Sequence, residues 1–158
     1  MDTKADNGAI PIPIARAHSG PIARAPIDAR SSAVRAISRP QALIVDDCRF
    51  IAERVARALE AKGFECTVAG DGFAGLERAR ACRFDLFVLD VDIPYVDGFA
   101  VLRQLRGDPV HARTPVLMLA AEHSEADQTR AKELGASGYM SKPLQLRPLN
   151  AMVDSMMR

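Results

Sequence analysis

The sequence predicts a doubly wound α/β domain, a (βα)5 chain whose five parallel strands form one sheet between two layers of helices. Three observations predict it. From residue 41 onward, short apolar runs alternate with segments of helical periodicity. Several of those runs are apolar throughout, as strands are when both faces of a sheet are covered. Acids and a lysine fall directly after strand ends, where open α/β sheets bind their ligands.

Residues 1–40 stand apart and are expected to form a flexible tail. They hold Pro11, Pro13, Pro21, Pro26 and Pro40 with few large apolar residues besides Ile, too little to offset the entropy of ordering. A degenerate repeat runs through them: PIARA from Pro13 to Ala17, PIARA again from Pro21 to Ala25, and PIDAR from Pro26 to Arg30. Its period is too short for a solenoid. The tail carries six Lys/Arg against three Asp/Glu, the body fifteen against seventeen. An Arg-rich start resembles a transit peptide in composition, but Asp2, Asp6 and the proline density argue against an amphipathic helix.

The body, residues 41–158, yields its elements in order. Ala42 to Val45 reads as the first strand, Glu65 to Ala69 the second, Leu86 to Leu89 the third, Val116 to Ala120 the fourth and Gly138 to Met140 the fifth. Helices fill the gaps. Ile51, Val55 and Leu59 repeat at four residues and stop at Gly63, and Leu146, Leu149, Met152, Val153 and Met156 trace an apolar stripe on the last helix. Right-handed crossovers assemble these into the sandwich.

Composition narrows the function. A 48% hydrophobic, 26% charged chain of 158 residues with no long apolar run is expected to be soluble and to keep off membranes. A net charge of +1 and the absence of Trp give no nucleic-acid surface. Cys48, Cys66 and Cys82 are odd in number and without CxxC spacing, which fits reduced thiols and a cytoplasmic location.

The chemistry collects at the carboxyl edge. Asp46 and Asp47 end the first strand, Asp90 ends the third, Asp92 follows it, and Lys142-Pro143 follows the fifth. Each alone reads as a cap or turn residue; Asp47, for instance, suits the start of the first helix. Together they make a carboxylate cluster that repels itself unless a cation neutralises it, and hard oxygens suit Mg²⁺. A metal and an ammonium around one aspartate are what phosphoryl transfer needs.

These residues resemble the receiver domain of bacterial two-component response regulators, CheY-like in size and layout, over residues 41–158. The resemblance rests on LIVDD from Leu43 to Asp47, LDVDIPYVDG from Leu89 to Gly98, TPVLM from Thr114 to Met118, and GASGYMSKP from Gly135 to Pro143. It implies Asp90 as phosphoacceptor and Lys142 as partner of the phosphoryl group. It implies Asp46, Asp47, the Asp90 carboxylate and the Asp92 backbone carbonyl as Mg²⁺ ligands, a cis Lys142-Pro143 peptide, and Tyr139 as the aromatic that changes rotamer on activation. Pro94 and Gly98 would shape the loop after Asp90. The family's Thr or Ser at the end of the fourth strand is Ala120 here, and Thr114 and Ser124 are poorly placed to replace it. Without that hydroxyl, phosphorylation can survive while its coupling to Tyr139 weakens.

The expected function is that of a single-domain response regulator, phosphorylated by a histidine kinase or phosphotransfer protein. It would signal through the face of the fourth helix, fifth strand and fifth helix. The alternative is a phosphorylation-independent adaptor, marked by Ala120. Asp92 and Glu122 flank the site and could influence the lifetime of the phosphoryl group. Cys48 is expected to be a plain small residue at a helix start, and His18, His111 and His123 have no partner at ligand spacing.

Overall fold

The computed structural model describes residues 38–158 and, by backbone alone, residues 9–11. The rest of the expected flexible tail, with its PIARA repeats, lies outside the described residues. Ala9–Pro11 is strand β1, which the proline-rich pattern did not announce. The five expected strands follow as β2 (Gln41–Val45), β3 (Glu65–Ala69), β4 (Leu86–Asp90), β5 (Val116–Ala120) and β6 (Gly138–Ser141). Between and after them run α1 (Arg49–Glu60), α2 (Gly72–Ala81), α3 (Gly98–Gly107), α4 (Glu125–Glu133) and α5 (Leu146–Met156).

The sheet order is β1-β3-β2-β4-β5-β6, with β1 antiparallel to β3 and the other five strands parallel. Pro11 stands at the end of β1, an edge strand, where proline is tolerated within sheets. Strand order reverses between β2 and β4. That is the topological switch point, and the ends of these two strands carry Asp46 and Asp90.

Each strand feeds two cores by alternation. Leu43, Val45, Phe87, Leu89, Val116 and Met118 pack on one face with Leu76 of α2, Phe99 and Leu102 of α3, and Ala131 of α4. Ala42, Ile44, Leu86, Val88, Leu117 and Leu119 pack on the other with Val55 and Leu59 of α1 and Leu149 and Val153 of α5. A fully buried side chain of this size contributes roughly 1.5–3 kcal/mol. The stripe expected on α5 is partly corrected: Leu146 is exposed, because it opens the helix where the chain leaves the sheet edge.

The Pro40 carbonyl accepts from the Glu65 N–H at 2.8 Å, so residue 40 is already tied to the sheet. The first helix ends near Gly63 as predicted, and Gly63 takes φ +99°, a left-handed conformation that glycine adopts without a Cβ penalty.

Candidate phosphoacceptor site

The chain brings Asp46, Asp47, Asp90 and Lys142 together at the carboxyl edge of the sheet. Asp46 is the first residue past β2, and its Oδ1 accepts from the Cys48 N–H at 2.8 Å, which turns the chain into α1. Cys48, not Asp47, is the N-cap of α1, and it makes no side-chain cap bond; Asp47 is exposed. Asp90 is the last residue of β4 and only 3% exposed. Its Oδ1 accepts from the Asp92 N–H at a long 3.3 Å.

Lys142 reaches over from the end of β6. Its Nζ lies 3.2 Å from Asp90 Oδ2 and 3.3 Å from Asp46 Oδ2. The backbone aims it: Lys142 N–H donates to the Ala120 carbonyl at 2.7 Å, and the Lys142-Pro143 peptide is cis, as the resemblance implied.

The electrostatics are those of a crowded anionic pocket. Burial first, then the charge of Asp46, raise the Asp90 pKa to about 6, against the pull of Lys142. Burial by itself would lower the Lys142 pKa, but Asp46 and Asp90 outweigh it and raise it. Carboxylate oxygens of Asp46, Asp47 and Asp90 lie within 4.8 Å of one another. Among the described residues, three carboxylates against one ammonium leave two negative charges uncompensated, the charge of one divalent ion. Asp46 Oδ2 is buried, with the Lys142 ammonium at 3.3 Å and no well-aligned hydrogen bond among the described residues. A hard divalent cation such as Mg²⁺ fits this donor set.

The loop after Asp90 holds the strand end in place. Gly98 opens α3 so close to β4 that a Cβ there would lie 2.3 Å from the Asp90 carbonyl oxygen. Asp97 caps the helix, its Oδ1 accepting from the Ala100 N–H at 2.9 Å. The Asp92 side chain is exposed and outside the carboxylate cluster.

Ala120 ends β5, buried in the core against which the Tyr139 ring packs. The Tyr139 hydroxyl is buried without a hydrogen-bond partner among the described residues. Burial, then the nearby charges of Asp127 and Asp92, raise its pKa. Neither alternative hydroxyl can replace the one missing at 120. Ser124 caps α4 by accepting from the Asp127 N–H at 3.1 Å, and Thr114 lies before β5, at the opposite edge. Glu122 and His123 are exposed.

The cysteines are free thiols; Cys66 is buried and pushed up to about 12, which makes it unreactive. His111, unremarkable in sequence, is fully buried at the amino edge of the sheet. Its Nε2 accepts from the Phe84 N–H at 3.2 Å, its Nδ1 faces Asp108 Oδ2 at 3.3 Å, and its ring meets Phe87 edge-on at 5.0 Å. Only packing distant in sequence reveals this. Among the described residues no helix is long and apolar enough to cross a membrane.

Comparison with known proteins agrees with this geometry. Residues 42–154 match the response regulator receiver domain model. The chain is 34% identical over 150 residues to the transcriptional activator protein PfeR of Pseudomonas aeruginosa, covering 90% of this chain and 48% of that protein. It is 40% identical over 116 residues to the alkaline phosphatase synthesis transcriptional regulatory protein PhoP of Bacillus subtilis, covering 73% and 48%. The chain thus spans about half the length of the curated relatives it matches. Among solved structures, the chemotaxis response regulator CheY4 of Vibrio cholerae superposes with a TM-score of 0.71 at 31% identity, over 75% of this chain and 99% of that one.

Proposed function

Because this chain belongs to the response regulator receiver domain family, we propose that it accepts a phosphoryl group on Asp90 from a histidine kinase or phosphotransfer protein. The observation that carries the reading is the Lys142 ammonium held within 3.3 Å of both Asp46 and Asp90, in a pocket that, among the described residues, still lacks two positive charges. In the transfer, the P–N bond to the donor imidazole breaks as a P–O bond to the Asp90 carboxylate forms, and the imidazole leaves. Lys142 offsets charge on the phosphoryl oxygens, and the 3% exposure of Asp90 limits access by water. Asp46, Asp47, the Asp90 carboxylate and the Asp92 carbonyl would hold Mg²⁺, which when bound supplies the remaining positive charge.

The protein is read as cytoplasmic, as a phosphoacceptor rather than a classical enzyme, and as signalling by protein contact through α4, β6 and α5 or by relaying phosphate. Ala120 supports a second reading, an adaptor whose binding does not depend on phosphate. Labelling by acetyl phosphate separates the two. The phosphoacceptor reading expects Mg²⁺-dependent incorporation into the wild type and none into Asp90→Ala; equal or absent incorporation in both sinks it.

A further inference from the structure

Three of the chain's eight aromatic residues are strongly exposed, and all three stand at the carboxyl edge of the sheet. Phe50 opens α1 at 68% exposure, Phe73 opens α2 at 51%, and Tyr95 lies in the loop between β4 and α3 at 87%. Two of their segments are pinned together. The Gly72 N–H donates to the Pro94 carbonyl at 3.4 Å, and a Cβ on Gly72 would lie 1.8 Å from the Val96 carbonyl oxygen. Phe73 and Tyr95 therefore ride on one tightly packed piece of backbone beside the acceptor strand.

Tyr95 is costly where it stands. Its φ of +69° is the only positive value on a non-glycine residue among the described residues. The Val96 N–H donates to the Pro94 carbonyl at 2.8 Å across it, closing a γ-turn in its strained, positive-φ form. Glycine or asparagine would relieve that conformation, and a ring 87% exposed returns almost no burial. Strain kept at an exposed aromatic beside a reactive centre is accounted for by contact with another molecule.

We propose that Tyr95, Phe73 and Phe50 form the docking rim for the protein phosphodonor, a histidine-phosphorylated domain that lays apolar side chains across this edge; the proposal rests on the acceptor reading above. Asp90 is recessed, so a donor imidazole has to pass the rim before its P–N bond can break and the P–O bond to Asp90 can form. The pocket itself is acidic and repels a phosphorylated partner at a distance, so apolar contact at its margin offsets that repulsion. The area also selects the occupant. Three aromatic side chains of about 200 Å² each, partly exposed, offer on the order of 400 Å². That is about half of what a stable dimer buries per partner, and suits a transient encounter.

The test uses autophosphorylated histidine-kinase cores of the source organism, taking the core that labels the wild-type chain fastest as protein donor, with acetyl phosphate as small donor. Tyr95→Asn keeps the turn and removes the ring. It should cut transfer from the kinase core by at least about tenfold, the scale of one aromatic hot spot. Labelling by acetyl phosphate should stay within about twofold and the Tm should hold or rise, since Asn tolerates this backbone. Tyr95→Phe should transfer like wild type, and Phe73→Gln should lose transfer in the same direction as Tyr95→Asn. Wild-type transfer in both ring-removing variants overturns the proposal. So does equal loss from both donors, or a wild type that acetyl phosphate labels and no kinase core does. Concentration-dependent self-association that Tyr95→Asn abolishes with transfer intact would assign the rim to a second copy and overturn it too. Absence of label from either donor removes the acceptor reading and the rim with it.

Discussion

A carboxylate that is 3% exposed beside a second carboxylate holds its charge reluctantly, and Asp90 accordingly ionises at about 6 instead of 3.8. The sign of the consequence follows from linkage. Folding favours the protonated form, so the group's contribution is fully present below about pH 4 and is lost as pH rises through about 6. Above that, without a divalent ion, ionised Asp90 costs on the order of 2–3 kcal/mol. Asp90→Asn should therefore exceed the wild type by about 2 kcal/mol in urea melts at about pH 7.5 in chelator. The gap should close near pH 4 and shrink when Mg²⁺ is added. A gap of the same size at both pH values would refute this. His111 slopes the other way. Burial lowers its pKa from 6.5, against Asp108 and Asp85 and with Arg83, and its Nε2 already accepts a backbone N–H, so the imidazole is held neutral. Its contribution is present above 6.5 and lost as pH falls through the lowered value. In the Asp90→Asn background, stability should drop on acidification below pH 6.5, and His111→Gln, which keeps an acceptor, should flatten that slope.

At the scale of elements, the helix starts fix the site, and they do so by different means. Asp71 is 6% exposed and caps α2 through the Ala74 N–H at 2.7 Å; its loss should cost about 1 kcal/mol without reaching the chemistry. Gly98 is more demanding. Its neighbour is the Asp90 carbonyl at 2.3 Å from a would-be Cβ, and backbone cannot yield as a flexible side chain can. Gly98→Ala should destabilise the fold by about 3 kcal/mol and, at temperatures where it remains folded, slow acetyl-phosphate labelling of Asp90. Labelling at the wild-type rate would show that α3 can shift without moving the acceptor. These elements were largely readable from sequence. Val116 to Ala120 is apolar throughout because both faces of β5 are covered, and that pattern is local. Strand β1 was not readable, since pairing of Ala9–Pro11 with β3 is decided by a distant edge rather than by its own residues. The burial of His111 against Phe84 and Phe87 escaped for the same reason.

Over the whole molecule, the site was legible because three strand ends converge once the order of a parallel sheet is known. Asp46, Asp90 and Lys142 need only their positions after β2, β4 and β6 to be placed together. What sequence left open is how the far side answers to the acceptor. Two segments could carry that answer, the end of β5 at Ala120 and Tyr139 of β6, and both lie in one core. Ala120 offers a methyl group where a hydroxyl would bond differently to the free and phosphorylated states, and an interaction equal in both states shifts no population. On the proposed phosphoacceptor reading, a charge-assisted hydrogen bond of about 1.5–3 kcal/mol would be absent from the bias, enough to change a two-state ratio by roughly tenfold or more. The Tyr139 hydroxyl, meanwhile, is already buried with Asp90 unmodified. Acetyl phosphate with Mg²⁺ should consequently perturb NMR signals of Asp46, Asp90 and the residues after β4 strongly and those around Tyr139 weakly. Ala120→Thr should enlarge the Tyr139 response while leaving the extent of labelling within about twofold, because nucleophile, ammonium and carboxylates are untouched. Large wild-type shifts around Tyr139, equal to those in Ala120→Thr, would show that the domain couples its two sides without the hydroxyl.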